Sequence, residues 1–252
     1  MTETTQTNVD QGELSKFSEL AHKWWDKDSE FKPLHEINPL RLGYIRQKVS
    51  IEGKQVLDVG CGPGGFGLTL RERLGSGTTI LGIDAVEDNV SAARVDHGFD
   101  EVLVGFFPDV IQDRPEQLDL ITFLDVLEHM VDPWAALQSA HTLLEPGGRV
   151  VAAIPNIRVF TLIRDLLKGR WDYTDTGTLD RTHVRFFTRA TMIEMFEQAG
   201  FVVEECSGIN SQRPRRPIRG YLNRRMFVDI KWLLFLVPDS EWLQFVIVAR
   251  KP

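Results

Sequence analysis

The strongest constraint on the fold is a glycine-rich segment, residues 59–65, that follows a short apolar stretch and precedes a helical pattern. The pattern predicts a β-strand over residues 55–59 and a helix over about 66–74. Glycines between a strand and a helix let a ligand approach the backbone and lie against the helix N-terminus. The chain is therefore predicted to hold a ligand at the turn of a βα unit.

Strands and helices alternate through most of the remaining chain. Further strands are predicted at 79–83, 101–104, 118–124, 149–153, 201–206 and 242–249. Helices are predicted near residues 88–95 and near residues 159–168. One more helix is predicted after Asp132, which caps it with Pro133 in the first turn, and another after Thr188. This alternation predicts one α/β domain with a doubly wound, seven-stranded, mostly parallel sheet that has helices on both faces.

The regions outside this alternation are predicted to be a cap and an insertion. Residues 1–12 are polar and are expected to form a disordered tail, and residues 13–26 carry the apolar stripe of an amphipathic helix. A second helix is expected to begin at Pro39, so that residues 13–53 form an N-terminal helical cap before a domain over 54–252. The less regular stretch at about 155–187 is expected to be an insertion that covers a site.

Composition excludes several classes of protein. The 252 residues are 42% hydrophobic, which is enough for one core, and the net charge of −7 argues against a nucleic-acid partner. Only two cysteines are present, so a disulfide framework is not expected and a reducing, cytoplasmic location fits. The polar N-terminus predicts no signal peptide, and the longest apolar run, 232–237, is too short to span a bilayer.

The spacing of the glycines fits two cofactor patterns. Gly60, Gly62 and Gly64 match the pattern G-x-G-x-G. Gly60, Gly62 and Gly65 match the dinucleotide-binding pattern G-x-G-x-x-G. Asp58 favours S-adenosylmethionine, because a carboxylate there would accept from an ammonium group and would repel a pyrophosphate. Asp84, at the end of the next strand, suits a ribose in either cofactor. A nicotinamide-dependent oxidoreductase remains the alternative at this point.

Downstream segments resemble the class I methyltransferase superfamily. The resemblance covers about residues 54–154 and rests on the turn together with residues 124–130 and 144–148. It implies S-adenosylmethionine as cofactor, with its methionine part at the turn and its ribose at Asp84. The loop near Phe106 and Phe107 would flank the adenine.

The segment at residues 17–45 resembles the ubiquinone-biosynthesis O-methyltransferase family. That resemblance implies that Arg41 contacts the carboxylate of the cofactor, a pairing that guanidinium groups favour. It also places Leu124 where this family often has methionine. The full cofactor-binding set expected is Arg41, Asp58, Gly60, Gly62, Asp84, Phe106 and Leu124.

The same family carries an acidic residue followed, three residues on, by Glu-His. Here these positions are Asp125, Glu128 and His129, so the resemblance implies a site for a divalent cation such as Mg²⁺. Glu128 and His129 are the expected catalytic residues. The acceptor oxygen would be deprotonated either with the help of the bound cation or by His129 as general base. The alternative is that Glu128 and His129 only bond locally in a loop. His35 and His183 are further candidates that packing explains as well.

Residues 177–188 resemble bacterial methyltransferases found with saccharide-modifying enzymes. The charged residues of this segment would then face the acceptor, or they would form an internal salt-bridge cluster; they are Asp180, Arg181, His183 and Arg185. Because the two ends of the chain resemble different families, the chain is either a divergent member or a recombined or engineered sequence. The acceptor is accordingly expected to be a small molecule, either a phenol or quinol or a saccharide.

Basic residues at 213–225 precede an apolar stretch that ends at Val237. This juxtaposition predicts a peripheral membrane-surface contact through 213–237, or alternatively a core helix with solvated arginines. The function expected from the whole sequence is O-methylation of a phenol or quinol of the ubiquinone-precursor type. Methylation of a saccharide or another metabolite, and non-catalytic binding of S-adenosylmethionine, are the alternatives.

Overall fold

The computed structural model describes residues 32–74, 77–94, 98–114, 117–212 and 237–252. Within these residues the chain forms seven strands and six helices. The strands are β1 (Gln55–Val59), β2 (Thr79–Asp84), β3 (Glu101–Val104), β4 (Leu118–Leu124), β5 (Leu144–Pro155), β6 (Val202–Ser211) and β7 (Trp242–Arg250). The helices are α1 (Lys32–Lys48), α2 (Gly65–Leu74), α3 (Glu87–Ala93), α4 (Pro133–Leu143), α5 (Phe160–Leu167) and α6 (Arg189–Gln198).

The strands form one sheet in the order β3-β2-β1-β4-β5-β7-β6. The first five strands of that order pair in parallel, and β7 runs antiparallel to both β5 and β6. The predicted doubly wound, seven-stranded, mostly parallel sheet is therefore confirmed. Its parallel strands place their carboxyl ends along one edge, which is where open α/β sheets bind ligands.

Each face of the sheet is buried under helices, because successive strand residues point to opposite sides. Leu57 and Val59 of β1 pack in a cluster that includes residues of α4 and α6. Val56, on the other face, packs in a cluster with residues of α1 and α2. Burial of both faces explains why the central strands are nearly continuous apolar runs.

Several element boundaries differ from the sequence predictions. The bounds of β1, β3 and β4 are as predicted, and Asp132 and Thr188 cap α4 and α6 as expected. The prediction that a helix begins at Pro39 is wrong, because α1 contains Pro39 in its interior. Proline removes one helical hydrogen bond, yet the helix continues because Leu42 and Ile45 beyond it are fully buried.

Residues 156–188 connect β5 to α6 and contain α5. Their C-terminal end pairs with the sheet region, since Asn156 forms a bridge with Phe187. The expected tail, the expected helix at 13–26 and nearly all of the expected membrane-contact segment at 213–237 lie outside the described residues. Among the helices that are described, none combines the length and apolarity needed to cross a bilayer.

Candidate active site

The carboxyl ends of β1, β2 and β4 bring the predicted cofactor residues to one edge. Val59 is in register with Ile83 of β2 and with Phe123 of β4. The turn after β1 is tied to β2, because the Gly60 and Cys61 amides both donate to the Ile83 carbonyl, at 2.8 and 3.0 Å. The glycine turn, Asp84 and Leu124 thus lie at neighbouring strand ends.

The turn requires its glycines for reasons of space and backbone conformation. Gly60, Gly62 and Gly64 have φ values of 68°, 54° and 101°. A Cβ atom on Gly60 would lie 2.6 Å from Cγ2 of Val126, in the loop after β4. Gly60 is nevertheless exposed, while Val59 and Cys61 beside it are buried. The turn therefore presents open backbone at the edge of the sheet, which fits the close approach of a ligand.

Asp58 is a buried carboxylate just before this turn. It is 2% exposed, and the Thr122 hydroxyl donates to its Oδ1 at 2.7 Å. Burial raises the pKa of Asp58 to about 7, and the negative charge of Asp84 acts in the same direction. A cation next to Asp58 would favour the ionised form, so the site is suited to the ammonium group of an amino acid.

Asp84 connects the turn to the start of α3. Its Oδ2 accepts from the Gly62 amide at 2.8 Å, and its Oδ1 accepts from the Val86 amide and from Nδ2 of Asn89. The side chain is 8% exposed and its position is set from both sides. Together with Asp58 and the open backbone at Gly60, this carboxylate gives a set of acceptors that fits a ligand with ammonium and hydroxyl groups.

The remaining predicted cofactor residues have different surroundings. Phe107 is 4% exposed and packs edge-on against Phe123 in the core, with ring centroids 5.5 Å apart. Phe106, which precedes it, is half-buried, as is Leu124 at the end of β4. Phe106 is therefore the aromatic residue of this pair with a surface that a ligand could contact.

Arg41 lies in a buried network. It is 1% exposed, forms an ion pair with Asp125 and donates to Oε1 of Gln244 at 2.9 Å. Gln244 in turn donates to the other oxygen of Asp125 at 2.6 Å. Asp125 has a φ of 56°, a conformation that non-glycine residues rarely adopt. The network joins three elements: α1, β7 and the loop after β4. Both Arg41 and Asp125 are engaged in it.

A second cluster follows in the same loop. Ligand-type atoms of Glu128, His129 and His183 all lie within 4.8 Å of one another. The rings of His129 and His183 meet edge to face with centroids 4.6 Å apart. Of the predicted set of Asp125, Glu128 and His129, the structure thus brings the last two together with His183, while Asp125 faces Arg41.

Glu128 is unusual because it is 1% exposed and neither carboxylate oxygen has a hydrogen-bond partner among the described residues. Burial, reinforced by the charge of Asp125, raises its pKa to about 8. Burial and the neighbouring His129 lower the pKa of His183 to about 4. The cluster therefore combines a buried acid that lacks a partner with a neutral imidazole.

The backbone holds His183 in place. Its Nδ1 lies 3.0 Å from the Thr178 carbonyl oxygen, which can only accept, so Nδ1 carries the hydrogen and Nε2 bears the lone pair. The amides of Val184 and Arg185 both donate to the Glu128 carbonyl at 3.0 Å. No spacing in the sequence indicates this contact, because His183 and Glu128 belong to segments far apart in the chain.

The other charged residues of 177–188 form separate contacts. Arg181 forms an exposed pair with Asp175, and Asp180 accepts from the Thr182 hydroxyl. Arg185 donates to the Val131 carbonyl and lies over the Trp134 ring.

A cavity of about 340 Å³ lies between α5 and residues 170–179. Its apolar lining includes Val159, Leu162, Trp171, Leu179 and Leu243, and Thr178 also lines it. Thr178 is the residue whose carbonyl holds His183. The cavity and the cluster of Glu128, His129 and His183 are therefore connected through Thr178.

Comparison with known proteins identifies the family. The methyltransferase-domain family matches residues 35–206. A ubiquinone biosynthesis O-methyltransferase of Chromobacterium violaceum is 35% identical over 207 residues, covering 81% of this chain and 88% of that protein. One of Pseudomonas syringae pv. tomato is 42% identical over 148 residues, covering 57% of this chain and 62% of that protein, so the match spans less than two thirds of that relative.

A solved structure supports the fold. Magnesium protoporphyrin IX methyltransferase of Synechocystis PCC 6803 with bound SAH has a TM-score of 0.62 at 13% identity, over 94% of this chain and 95% of that one. At this identity the likeness shows the fold alone. The family match, the seven-stranded sheet and the relatives confirm the resemblance predicted from residues 54–154. The chain therefore belongs to the class I S-adenosylmethionine-dependent methyltransferases.

Proposed function

We propose that this methyltransferase transfers a methyl group to a hydroxyl oxygen of an aromatic acceptor, a phenol or quinol. The observation that carries the proposal is the cluster of Glu128, His129 and His183, which lies beside a partly apolar cavity that Thr178 lines. The relatives are ubiquinone biosynthesis O-methyltransferases, which supports an acceptor of this class.

The glycine turn and two carboxylates hold the cofactor in this proposal. S-adenosylmethionine supplies an electrophilic methyl group on a sulfonium centre. Asp58 accepts from its ammonium group, Asp84 accepts from its ribose, and the exposed backbone at Gly60 lets it approach β1. Phe106 flanks the adenine. Such positioning removes much of the entropic barrier to a reaction between two bound molecules.

The acceptor binds in the cavity beside α5. Its volume of about 340 Å³ is at the lower end of the range for small-molecule sites, and five of its eleven lining residues are apolar or aromatic. An aromatic ring packed against Trp171 and Leu179 would direct a hydroxyl group past Thr178 toward His183.

The acceptor hydroxyl loses its proton at the cluster. One route is proton transfer to His129 as general base, beside the buried carboxyl group of Glu128. The other is a divalent cation such as Mg²⁺, which Glu128 and His129 would hold and which would lower the pKa of a hydroxyl bound to it. Both routes generate an oxygen nucleophile in the same place.

A saccharide acceptor is the second candidate. The observation that favours it is the polar part of the cavity lining, which contains Asp165, Arg170 and Asp172 near Trp171. Arg170 donates to Asp172 at 2.7 Å, so these groups are arranged to bond with hydroxyls as well as with each other. A protein that binds S-adenosylmethionine without catalysis is the third candidate.

An acceptor panel tests the proposal. The full chain is incubated with methyl-labelled S-adenosylmethionine and a catechol, a quinol, a simple phenol or a sugar, and label in the acceptor is measured. Transfer to the catechol or quinol is expected. Transfer to sugars alone would favour the second candidate, and binding of the cofactor without any transfer would favour the third.

Two histidine variants separate catalysis from folding. His129→Ala is expected to lower turnover by about 10²–10⁴-fold, the usual contribution of a general acid or base, while cofactor binding stays intact. The matched control is His141→Ala, because His141 packs on Phe201, away from this cluster. Equal losses in the two variants would contradict a role for His129.

A further inference from the structure

We infer that Gln244 is a positioning residue for methyl transfer. Its side chain holds Asp125, and through Asp125 it fixes residues 125–129, so that His129 keeps its place beside the acceptor. The inference rests on the proposed function, because His129 acts on the acceptor there. It assigns a role to β7, a strand in which the sequence indicates no site residue.

Asp125 is the first residue after β4, and its backbone is left-handed, with a φ of 56°. This conformation is unfavourable for a residue with a side chain and persists only where surrounding contacts hold it. Here it stands at the start of the loop that carries Glu128 and His129. The contacts of the Asp125 side chain therefore help to set the direction in which this loop leaves the sheet.

Two side chains hold the Asp125 carboxylate. One of its oxygens pairs with the Arg41 guanidinium, and the other accepts from Nε2 of Gln244 at 2.6 Å. Oε1 of Gln244 also accepts from Arg41, at 2.9 Å. Gln244 thus bonds both members of the ion pair, so each of the three side chains contacts the other two.

An amide is suited to this place because it both donates and accepts hydrogen bonds. Its NH₂ group meets the anion and its oxygen meets the cation. Gln244 is 8% exposed, so loss of either bond would leave a charged group poorly solvated. Replacing the amide by a carboxylate would keep an acceptor for Arg41, but it would remove the donor to Asp125 and set two like charges side by side.

The backbone of Gln244 is fixed by both neighbouring strands. In the register of the sheet it pairs with Pro155 of β5 and with Ile209 of β6. The same region of β5 holds Asp125 directly, since the Asp125 amide donates to the Ala153 carbonyl at 3.1 Å. Sites on paired strands are better defined than sites on loops. Gln244 is therefore a rigid anchor for the start of the loop.

The loop between Asp125 and His129 is a tight turn. The His129 amide donates to the Val126 carbonyl at 3.1 Å, and Leu127 between them is fully buried. A displacement of Asp125 is therefore expected to move His129 with it. A shift of about 1 Å at a reacting group can lower a rate by about 10²-fold. Gln244 thus acts on the reaction through Asp125 and the turn.

The cofactor turn has separate support. Two amides of the turn after β1 bond to the Ile83 carbonyl of β2, and a third bonds to Asp84. None of these bonds involves residues 125–129 or β7. Loss of the Gln244 amide should therefore lower kcat and leave the affinity for S-adenosylmethionine close to its normal value.

Three variants of the full chain test the inference, with methyl transfer to a catechol as the readout. Gln244→Met removes both hydrogen bonds at similar side-chain length, and Gln244→Glu removes the donor. Each should lower kcat by about 10²-fold, while calorimetric titration shows wild-type affinity for S-adenosylmethionine. The double variant, Gln244→Glu with Asp125→Asn, exchanges donor and acceptor at a position where asparagine also tolerates the left-handed backbone. It should restore most of the lost rate.

Thr78→Val is the matched control. Thr78 is 1% exposed and donates to the Ile51 carbonyl at 2.8 Å, just before β2 at the opposite edge of the sheet. This variant should keep the wild-type kcat even if denaturation shows a loss of stability. Unchanged kcat in both single variants would overturn the inference, as would a loss confined to cofactor affinity or no recovery in the double variant. If Gln244→Met does not fold, Gln244→Glu and the double variant decide the test.

A readout without turnover separates the inference from the proposed function. The chain contains six histidines, whose ring nitrogens are followed by NMR after ¹⁵N labelling, with His129→Ala identifying one signal. The His129 signal should shift in Gln244→Met and return in the double variant. These shifts without transfer to any phenol or quinol by the wild type would count against the proposed function alone. Transfer by the wild type with an unmoved His129 signal in Gln244→Met would overturn the inference alone.

Discussion

The two halves of the carboxyl edge of the sheet are built from contacts that differ greatly in the sequence separation of their partners. In the glycine-turn half, formed by residues 58–64 and Asp84, the bond from Gly62 to Asp84 spans 22 residues. In the histidine half, formed by Arg41, Asp125, Glu128, His129, His183 and Gln244, the bond from Arg41 to Gln244 spans 203. The main-chain and carboxylate contacts of the glycine turn come from two consecutive βα units, with β4 adding Thr122 beside Asp58, whereas the second half needs elements from the whole chain.

Because of this difference, we expect mutations in the two halves to have different effects. A change to the carboxylates of the glycine-turn half, Asp58 and Asp84, should mainly affect the binding of S-adenosylmethionine, because both lie beside the open turn. A change in the histidine half should mainly affect folding and acceptor chemistry, because its charges are buried and hold distant elements together. The following changes test this division.

The largest expected effect is on stability, from Arg41→Ala. It would leave Asp125 without its cation in a mostly buried position and should lower the free energy of unfolding by about 3–5 kcal/mol, measured by chemical denaturation. Arg181→Ala is the matched control, since its pair with Asp175 is exposed and its loss should change little. If the folded Arg41→Ala variant instead lost cofactor affinity, Arg41 would contact the cofactor's carboxylate, as the sequence resemblance implied.

The next effect is on cofactor binding, from Asp84→Ala. Loss of a charged acceptor should weaken S-adenosylmethionine binding by about 1.5–3 kcal/mol, which is on the order of 10–100-fold in calorimetric titration. Asp119→Ala provides the comparison, because Asp119 bonds Lys54 and the Gln55 amide at the opposite edge of the sheet. Equal loss of affinity in both variants would point to a general effect on folding.

Gly60→Ala is expected to destabilise the protein by about 1–3 kcal/mol, since its Cβ would meet Val126 and its backbone is left-handed. Gly53→Ala has the same kind of backbone, with a φ of 70°, and open space around it. The difference between their denaturation midpoints isolates the contact between the turn and the loop after β4. No difference would show that this contact can relax without loss.

The smallest effect is a pH dependence from Asp58. Because burial raises its pKa to about 7, part of Asp58 is protonated near neutrality, and only the ionised form favours an ammonium group. Affinity for S-adenosylmethionine should therefore fall as the pH is lowered from about 7.5 to about 5.5, by at most about 1.4 kcal/mol for each pH unit. Titrations with Asp58→Asn should lose this slope, and a wild-type affinity that is constant with pH would contradict the role of Asp58.

Local patterns predicted the glycine-turn half well. The strand at Gln55–Val59, the glycines after it and the carboxylate at Asp84 follow from periodicity and from the rule that ligands bind at strand ends. The positions of Thr122 beside Asp58 and of Asn89 beside Asp84 were not predicted. They depend on the register of neighbouring strands and on where α3 begins.

The contacts of the histidine half could not be predicted from local sequence patterns. Nothing about Gln244 distinguishes it in the sequence, because its role comes from β7 lying antiparallel to β5. His183 was one candidate among several, and its approach to Glu128 depends on main-chain bonds of residues 184 and 185. The start of α1 was misplaced for a related reason, since burial against the sheet outweighs the local preference of Pro39.

The attachment of residues 184 and 185 to the Glu128 carbonyl has a consequence for how this enzyme can diversify. Main-chain bonds do not depend on which side chains follow, so the side chains of Arg170, Trp171 and Asp172 can be exchanged while the main chain at Thr178 and at residues 184 and 185 holds His183. If the acceptor binds in this cavity as proposed, acceptor choice and the reacting centre are thereby separated along the chain. Replacing these three side chains would then be a direct route to new methyl acceptors.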